Sequence, residues 1–132
     1  MTSQPWTAVD DLRPAVALVI LHGALDPTMT AELRNGLPGC SDLPLLQLED
    51  AAGLHEEWLA QGAHSRIVGL LSRLGGDCLL LAVEPEGSTE LEWLGSVAGQ
   101  RLQRFTSGTS TTELIARLQR LRRERLLAVL PL

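Results

Sequence analysis

Two stretches constrain this chain more than any other. Residues 15–21, Ala-Val-Ala-Leu-Val-Ile-Leu, and residues 78–83, Cys-Leu-Leu-Leu-Ala-Val, are continuous apolar runs with no polar residue at alternate positions. A strand with one face in water alternates apolar and polar residues, so a strand without alternation is covered on both faces. Both runs end at turn-forming residues, His22-Gly23 in the first and Glu84-Pro85-Glu86-Gly87 in the second. They are predicted to be central strands of a parallel sheet, an arrangement that needs helices to connect and cover the strands.

The rest of the chain supplies those helices. Asp26 is placed to cap a helix with Pro27 in its first position, Met29 and Leu33 on its apolar side and Gly36 at its end. Residues 43–48 form a short strand candidate. Asp50 then caps a helix in which Leu54 and Trp58 share a face before Gly62. Residues 64–74 read as a further helix, with Ile67, Leu70, Leu71 and Leu74 at helical spacing and Gly75-Gly76 as terminator. Thr89 with Glu92 is a capping box for a helix carrying Leu91, Leu94 and Val97 up to Gly99. Residues 102–105 are a weaker strand, polar enough to lie at an edge. Ser110 with Glu113 forms a second capping box, opening a helix with Leu114, Ile115, Leu118 and Leu121 on one side. Residues 126–130 either extend that helix or form a last short strand.

Strands that alternate with helices, without hairpin signals of the Asn-Gly kind, predict an α/β fold of three layers, a mostly parallel central sheet with helices on both faces. The 132 residues suit one domain spanning 1–132, and no internal repeat or linker divides them. Aromatic residues are only 3% against 45% hydrophobic overall, so the core is expected to be built from Leu, Val, Ile and Ala.

Several function classes lack the residues they need. No apolar run approaches the roughly 20 residues of a membrane helix. Residues 1–11 have neither a basic start nor an apolar stretch, which points to a cytoplasmic protein. Cys40 and Cys78 lie far apart without Cys-x-x-Cys spacing and read as thiols, Cys78 as buried filler in a strand. His55-Glu56-Glu57-Trp58-Leu59 begins like a zinc-protease helix, but Leu59 stands where the second histidine belongs. Neither a metal site nor a cofactor is expected. Val19-Ile20-Leu21-His22-Gly23 is similar to the strand-to-loop start of the α/β-hydrolases, yet no Gly-x-Ser-x-Gly elbow accompanies it.

Two constellations remain. Beyond residue 100 seven arginines face two glutamates, leaving +5, so with a net charge of −5 the first hundred residues carry −10. Arg117, Arg120 and Arg123 are expected on the solvent side of the last helix, projecting together as a docking face for a protein partner or a second copy. The acidic overall balance and the lack of interleaved aromatics argue against nucleic acid. The alternative is a small-ligand or anion-binding enzyme that uses the crevice at the strand C-termini, lined by His22, Glu84, Ser107, Gly108 and Ser110. Its competing explanation is that Ser110 merely caps its own helix.

The order of elements resembles a response-regulator receiver, and more closely the pseudo-receiver domains of the type that opens the cyanobacterial clock protein KaiA. Residues 15–21, residues 77–83 with Pro85 after them, and the helix around Thr112-Glu113-Leu114-Ile115-Ala116-Arg117-Leu118 carry the likeness. It implies a flavodoxin-like, receiver-like fold and a regulatory or interaction role without catalysis. Receivers place an acidic pair after the first strand, where this chain has His22-Gly23, and their phosphoacceptor aspartate would fall at Ala82, which has no oxygen to phosphorylate. The resemblance therefore implies a scaffold that has lost phosphotransfer.

Overall fold

The computed structural model describes residues 6–8, 17–36, 45–74, 78–108 and 110–129. Cys40, the Gly75-Gly76 terminator and residues 130–132 lie outside the described residues. Five strands form one sheet: β1 (Trp6–Ala8), β2 (Ala17–His22), β3 (Leu45–Leu48), β4 (Leu79–Glu84) and β5 (Leu102–Thr106). Their spatial order is β1-β3-β2-β4-β5. The strands β3, β2, β4 and β5 are parallel, and β1 runs antiparallel to β3 at one edge. The helices are α1 (Pro27–Gly36), α2 (Ala51–Gln61), α3 (Arg66–Ser72) and α4 (Thr111–Val129).

Residues of β2 are buried without exception, as the absence of alternation required. Successive side chains nevertheless serve opposite layers, because a strand points alternate residues to alternate faces. Leu18, Ile20, Leu80 and Ala82 join α2 and α3 in one core, while Ala17, Val19, Leu81 and Val83 join α1 and α4 in the other. Each buried Leu contributes about 1.5–3 kcal/mol relative to exposure. The result is a three-layer α/β fold with the flavodoxin-like order among its parallel strands.

Three expectations are corrected by the structure. The helix expected over residues 64–74 begins only at Arg66, because Gly62 adopts φ 55° and ends α2, and a 3-10 turn spans Gly62–His64. Ser65 is extended there, and Glu57 of α2 accepts from the Arg66 amide at 3.1 Å. A side chain from the preceding helix thus opens α3.

The helix expected over residues 89–99 is instead a 3-10 turn, Glu92–Ser96. Thr89 accepts from the Glu92 amide with its carbonyl, at 3.2 Å. The Leu91 amide donates to the Glu84 carboxylate at 2.9 Å, which pins the turn before an α-helical ladder can start. Leu94 and Val97 donate back three residues, to Leu91 and Leu94.

The third correction is β1, which nothing in the sequence reading anticipated. The remaining expectations fare better. Residues 102–106 form the edge strand β5, and the helix after Ser110 continues through Val129, with no last strand there. Cys78 is buried but lies just before β4.

Candidate functional site

In a doubly wound sheet the place to look is where the strand order reverses, outside the carboxyl ends. Here the chain moves from β2 outward to β3 and then crosses to β4 on the other side, so the switch point lies between the ends of β2 and β4. The register pairs Leu21 with Val83, which carries the next residues, His22 and Glu84, to neighbouring positions on one face.

His22 is 8% exposed. Its Nδ1 accepts from the Ala24 amide at 2.9 Å, leaving Nε2 as the donor of the neutral ring. Nε2 lies 3.4 Å from Glu90 Oε2 but is not aligned with it and makes no hydrogen bond. The other amides of the loop are also taken: Gly23 donates to the Leu48 carbonyl at 2.8 Å and Leu25 to the His22 carbonyl at 3.1 Å. A Cβ at residue 23 would stand 2.8 Å from the Leu48 oxygen, so glycine is what allows this approach. The amides of Gly23, Ala24 and Leu25 all donate within the chain itself.

Glu84 is fully buried. Its Oε1 accepts from the Ser88 hydroxyl at 3.1 Å and the Leu91 amide at 2.9 Å, and its Oε2 accepts from Arg104 Nε at 2.9 Å. Arg104 also donates from Nη2 to the Ser88 carbonyl at 2.8 Å. A buried charge survives only when paired and hydrogen-bonded, and this one is both.

Ser107, Gly108 and Ser110 line a separate hollow, whose opposite wall is Asp26, Thr28 and Glu32 at the start of α1. His22 and Glu84 do not line it. The two groups of the anion-site alternative therefore meet only through the backbone, where the Ser107 amide donates to the Glu84 carbonyl at 3.0 Å. Ser110 caps α4, accepting from the Glu113 amide at 3.2 Å. Ser107 Oγ accepts from the Glu86 amide at 3.2 Å, and a Cβ on Gly108 would lie 2.9 Å from Glu86 Oε2. The loop already has a carboxylate of its own chain against it.

On α4, Arg117, Arg120 and Arg123 are all exposed, but they are not equivalent. The Arg117 guanidinium sits 5.0 Å from the centroid of Phe105, covering the edge strand. Arg120 pairs with Glu124 at 3.0 Å, an exposed bridge one helical turn long.

Sequence reasoning missed Ser88, Glu90 and Arg104, which close the strand ends, and a ring stack on the α2 side. His55 and Trp93 stack at 4.7 Å, and Trp58 and Trp93 at 5.6 Å. The spacing of His55 and Trp58 was a usable signal for half of that stack; Trp93, 35 residues beyond Trp58, gave none. Among the described residues no cluster of three metal-ligating side chains occurs, and no helix is long and apolar enough to cross a membrane.

No protein-family model matches the chain, and no curated protein matches it either. Among solved structures it is similar to a crystal structure of a sigma-54 interaction domain protein from Enterococcus faecalis. The two share 17% identity over 88% of this chain and 90% of that one, with a TM-score of 0.41, a likeness too distant to carry an argument.

Proposed function

We propose that this chain is a non-catalytic regulatory or protein-interaction domain, a pseudo-receiver-like scaffold whose docking face is the basic side of α4. One observation carries the reading: the Glu84 carboxylate at the switch point is fully buried and already accepts three hydrogen bonds, from Ser88, Leu91 and Arg104. A buried carboxylate whose oxygens are already taken by its own chain has little left for substrate. The face that remains is electrostatic, and its chemistry fits an acidic protein surface.

The test uses the protein partner recovered from the native host. Replacing Arg117, Arg120 and Arg123 together with Gln should weaken that partner's binding by about tenfold or more and flatten its salt dependence. Exposed charges contribute little to stability, so loss of the Arg117 contact with Phe105 and of the Arg120 bridge should lower the melting temperature by only a few degrees. Unchanged affinity of the triple variant rejects α4 as the docking face.

A second reading, a small-ligand site at the strand ends, is favoured by His22 alone, whose buried Nε2 has no hydrogen bond. A ligand oxygen that displaced Glu90 would accept a hydrogen bond from Nε2. Removing the competitor with Glu90→Gln and screening acidic metabolites by thermal shift checks it; a shift that also persists in His22→Leu would sink it.

A further inference from the structure

The two outer layers of the molecule are unlike in a way that makes them complementary. On one side of the sheet, α2 presents Ala52, Glu56, Leu59 and Ala60 to solvent, residues that fall on one helical stripe. Leu59 is 69% exposed. Beside the stripe lie the partly buried rings of His55 and Trp58, stacked with Trp93, whose chain neighbour Glu92 is exposed. Small residues next to flat rings allow a helix to approach closely, and aromatic groups are the usual anchors of an interface.

On the other side of the sheet, α4 exposes Ala116, Arg120 and Arg123 on its own stripe. Over its length α4 carries five arginines against Glu113 and Glu124. One helix face combines small and apolar residues with the carboxylate of Glu56; the other is basic, with the small Ala116 one turn before its arginines.

We propose that the partner of α4 is a second copy of this chain, seated with its α2 face against the arginine stripe. This rests on the reading of α4 as the docking face and names its occupant. Glu56 and Glu92 then face Arg120 and Arg123, while Leu59 and the ring stack are covered by the Ala116 stretch of the neighbour. The Arg120 bridge to Glu124 is exposed and exchanges readily for an intermolecular one. Because α2 and α4 belong to opposite faces of the sheet, the contact is head-to-tail. It leaves one free face at each end and grows by addition into a ring or an open filament, whereas a two-fold contact would close at the dimer.

Sedimentation of the purified chain at low salt, from about 1 μM to 1 mM, decides the matter. The mean mass should rise with concentration past that of a dimer, and should fall back as salt shortens the screening length. Two variants remove one face each: Arg120→Gln with Arg123→Gln on α4, and Leu59→Arg on α2. Each alone should remain monomeric, and an equimolar mixture should form a one-to-one dimer and stop there, since each supplies the face the other lacks. Circular dichroism confirms that both remain folded, as expected for substitutions at exposed positions. A wild-type chain that stays monomeric throughout overturns the proposal, as does a closed dimer or a mixture that fails to pair. None of these results touches the α4 reading itself, which falls only if the triple Gln variant keeps its affinity for the host partner.

Discussion

The crossover from β3 to β4 and the crossover from β4 to β5 do the same topological work by different means. The first contains α2 and α3, and Leu54, Ile67, Leu70 and Leu71 fasten it to the sheet through one aliphatic core. The second has no α-helix. It is a 3-10 turn held by the Leu91 amide on Glu84, by the Trp93 indole donating to the Glu90 carbonyl at 2.7 Å, and by Arg104 reaching in from β5. Apolar contacts are numerous and interchangeable; these polar anchors are few and specific. One connection should tolerate repacking, and the other should fail when a single group is lost.

The sharpest way to break that contrast is Glu84→Ala. It removes the acceptor for three donors and leaves Arg104 and the Leu91 amide without their partner, so the expected cost is about 3–5 kcal/mol. Urea denaturation measures it, and a loss under about 1 kcal/mol would show that the second crossover does not depend on this network.

A smaller effect sharpens the other half. Leu70→Ala should cost about 2–5 kcal/mol, because Leu70 is 2% exposed and its cavity cannot fully collapse. Leu70→Met should cost under about 1.5 kcal/mol, since volume is conserved. Equal costs for Ala and Met would mean that the aliphatic layer is as specific as the polar one.

The smallest pair is two glycines. Gly69 lies within α3 with nothing within 4 Å of its would-be Cβ, so Gly69→Ala should stabilise by about 0.5–1 kcal/mol. Gly99, in the second crossover, adopts φ 74° with the same open space around it, so Gly99→Ala should destabilise by about 1–2 kcal/mol for conformational reasons alone. Thermal melts that moved in the same direction would contradict the assignment of helical backbone to one crossover and turn backbone to the other.

The same contrast explains what was legible in the sequence. Burial on both faces writes itself as an unbroken apolar run, which is why β2 and β4 were readable, and a helical stripe such as Leu114 to Leu121 is readable for the same reason. The second crossover misled because Thr89, Glu92, Leu91, Leu94 and Val97 satisfy helical spacing, while the group that prevents the helix, Glu84, lies in the preceding strand. A tertiary hydrogen bond leaves no periodic trace. Strand β1 was missed because three residues on an edge carry too short a pattern to show alternation. At the candidate site His22 and Glu84 were found from their place at strand ends, but Glu90 and Arg104 join them only through the fold.

Arg104 also bears on how the molecule behaves in a crowd. It lies on β5, and among the described residues no strand pairs beyond β5 on that side. An open edge offers its backbone to any extended chain, and a charged side chain at such an edge discourages that pairing. Because the same guanidinium is tied to Glu84 and to the Ser88 carbonyl, unfolding of the second crossover would free the charge from its fixed place at that edge. A partly unfolded form in which that crossover has opened would then offer β5, and not the apolar central strands, as its template for β-sheet aggregation.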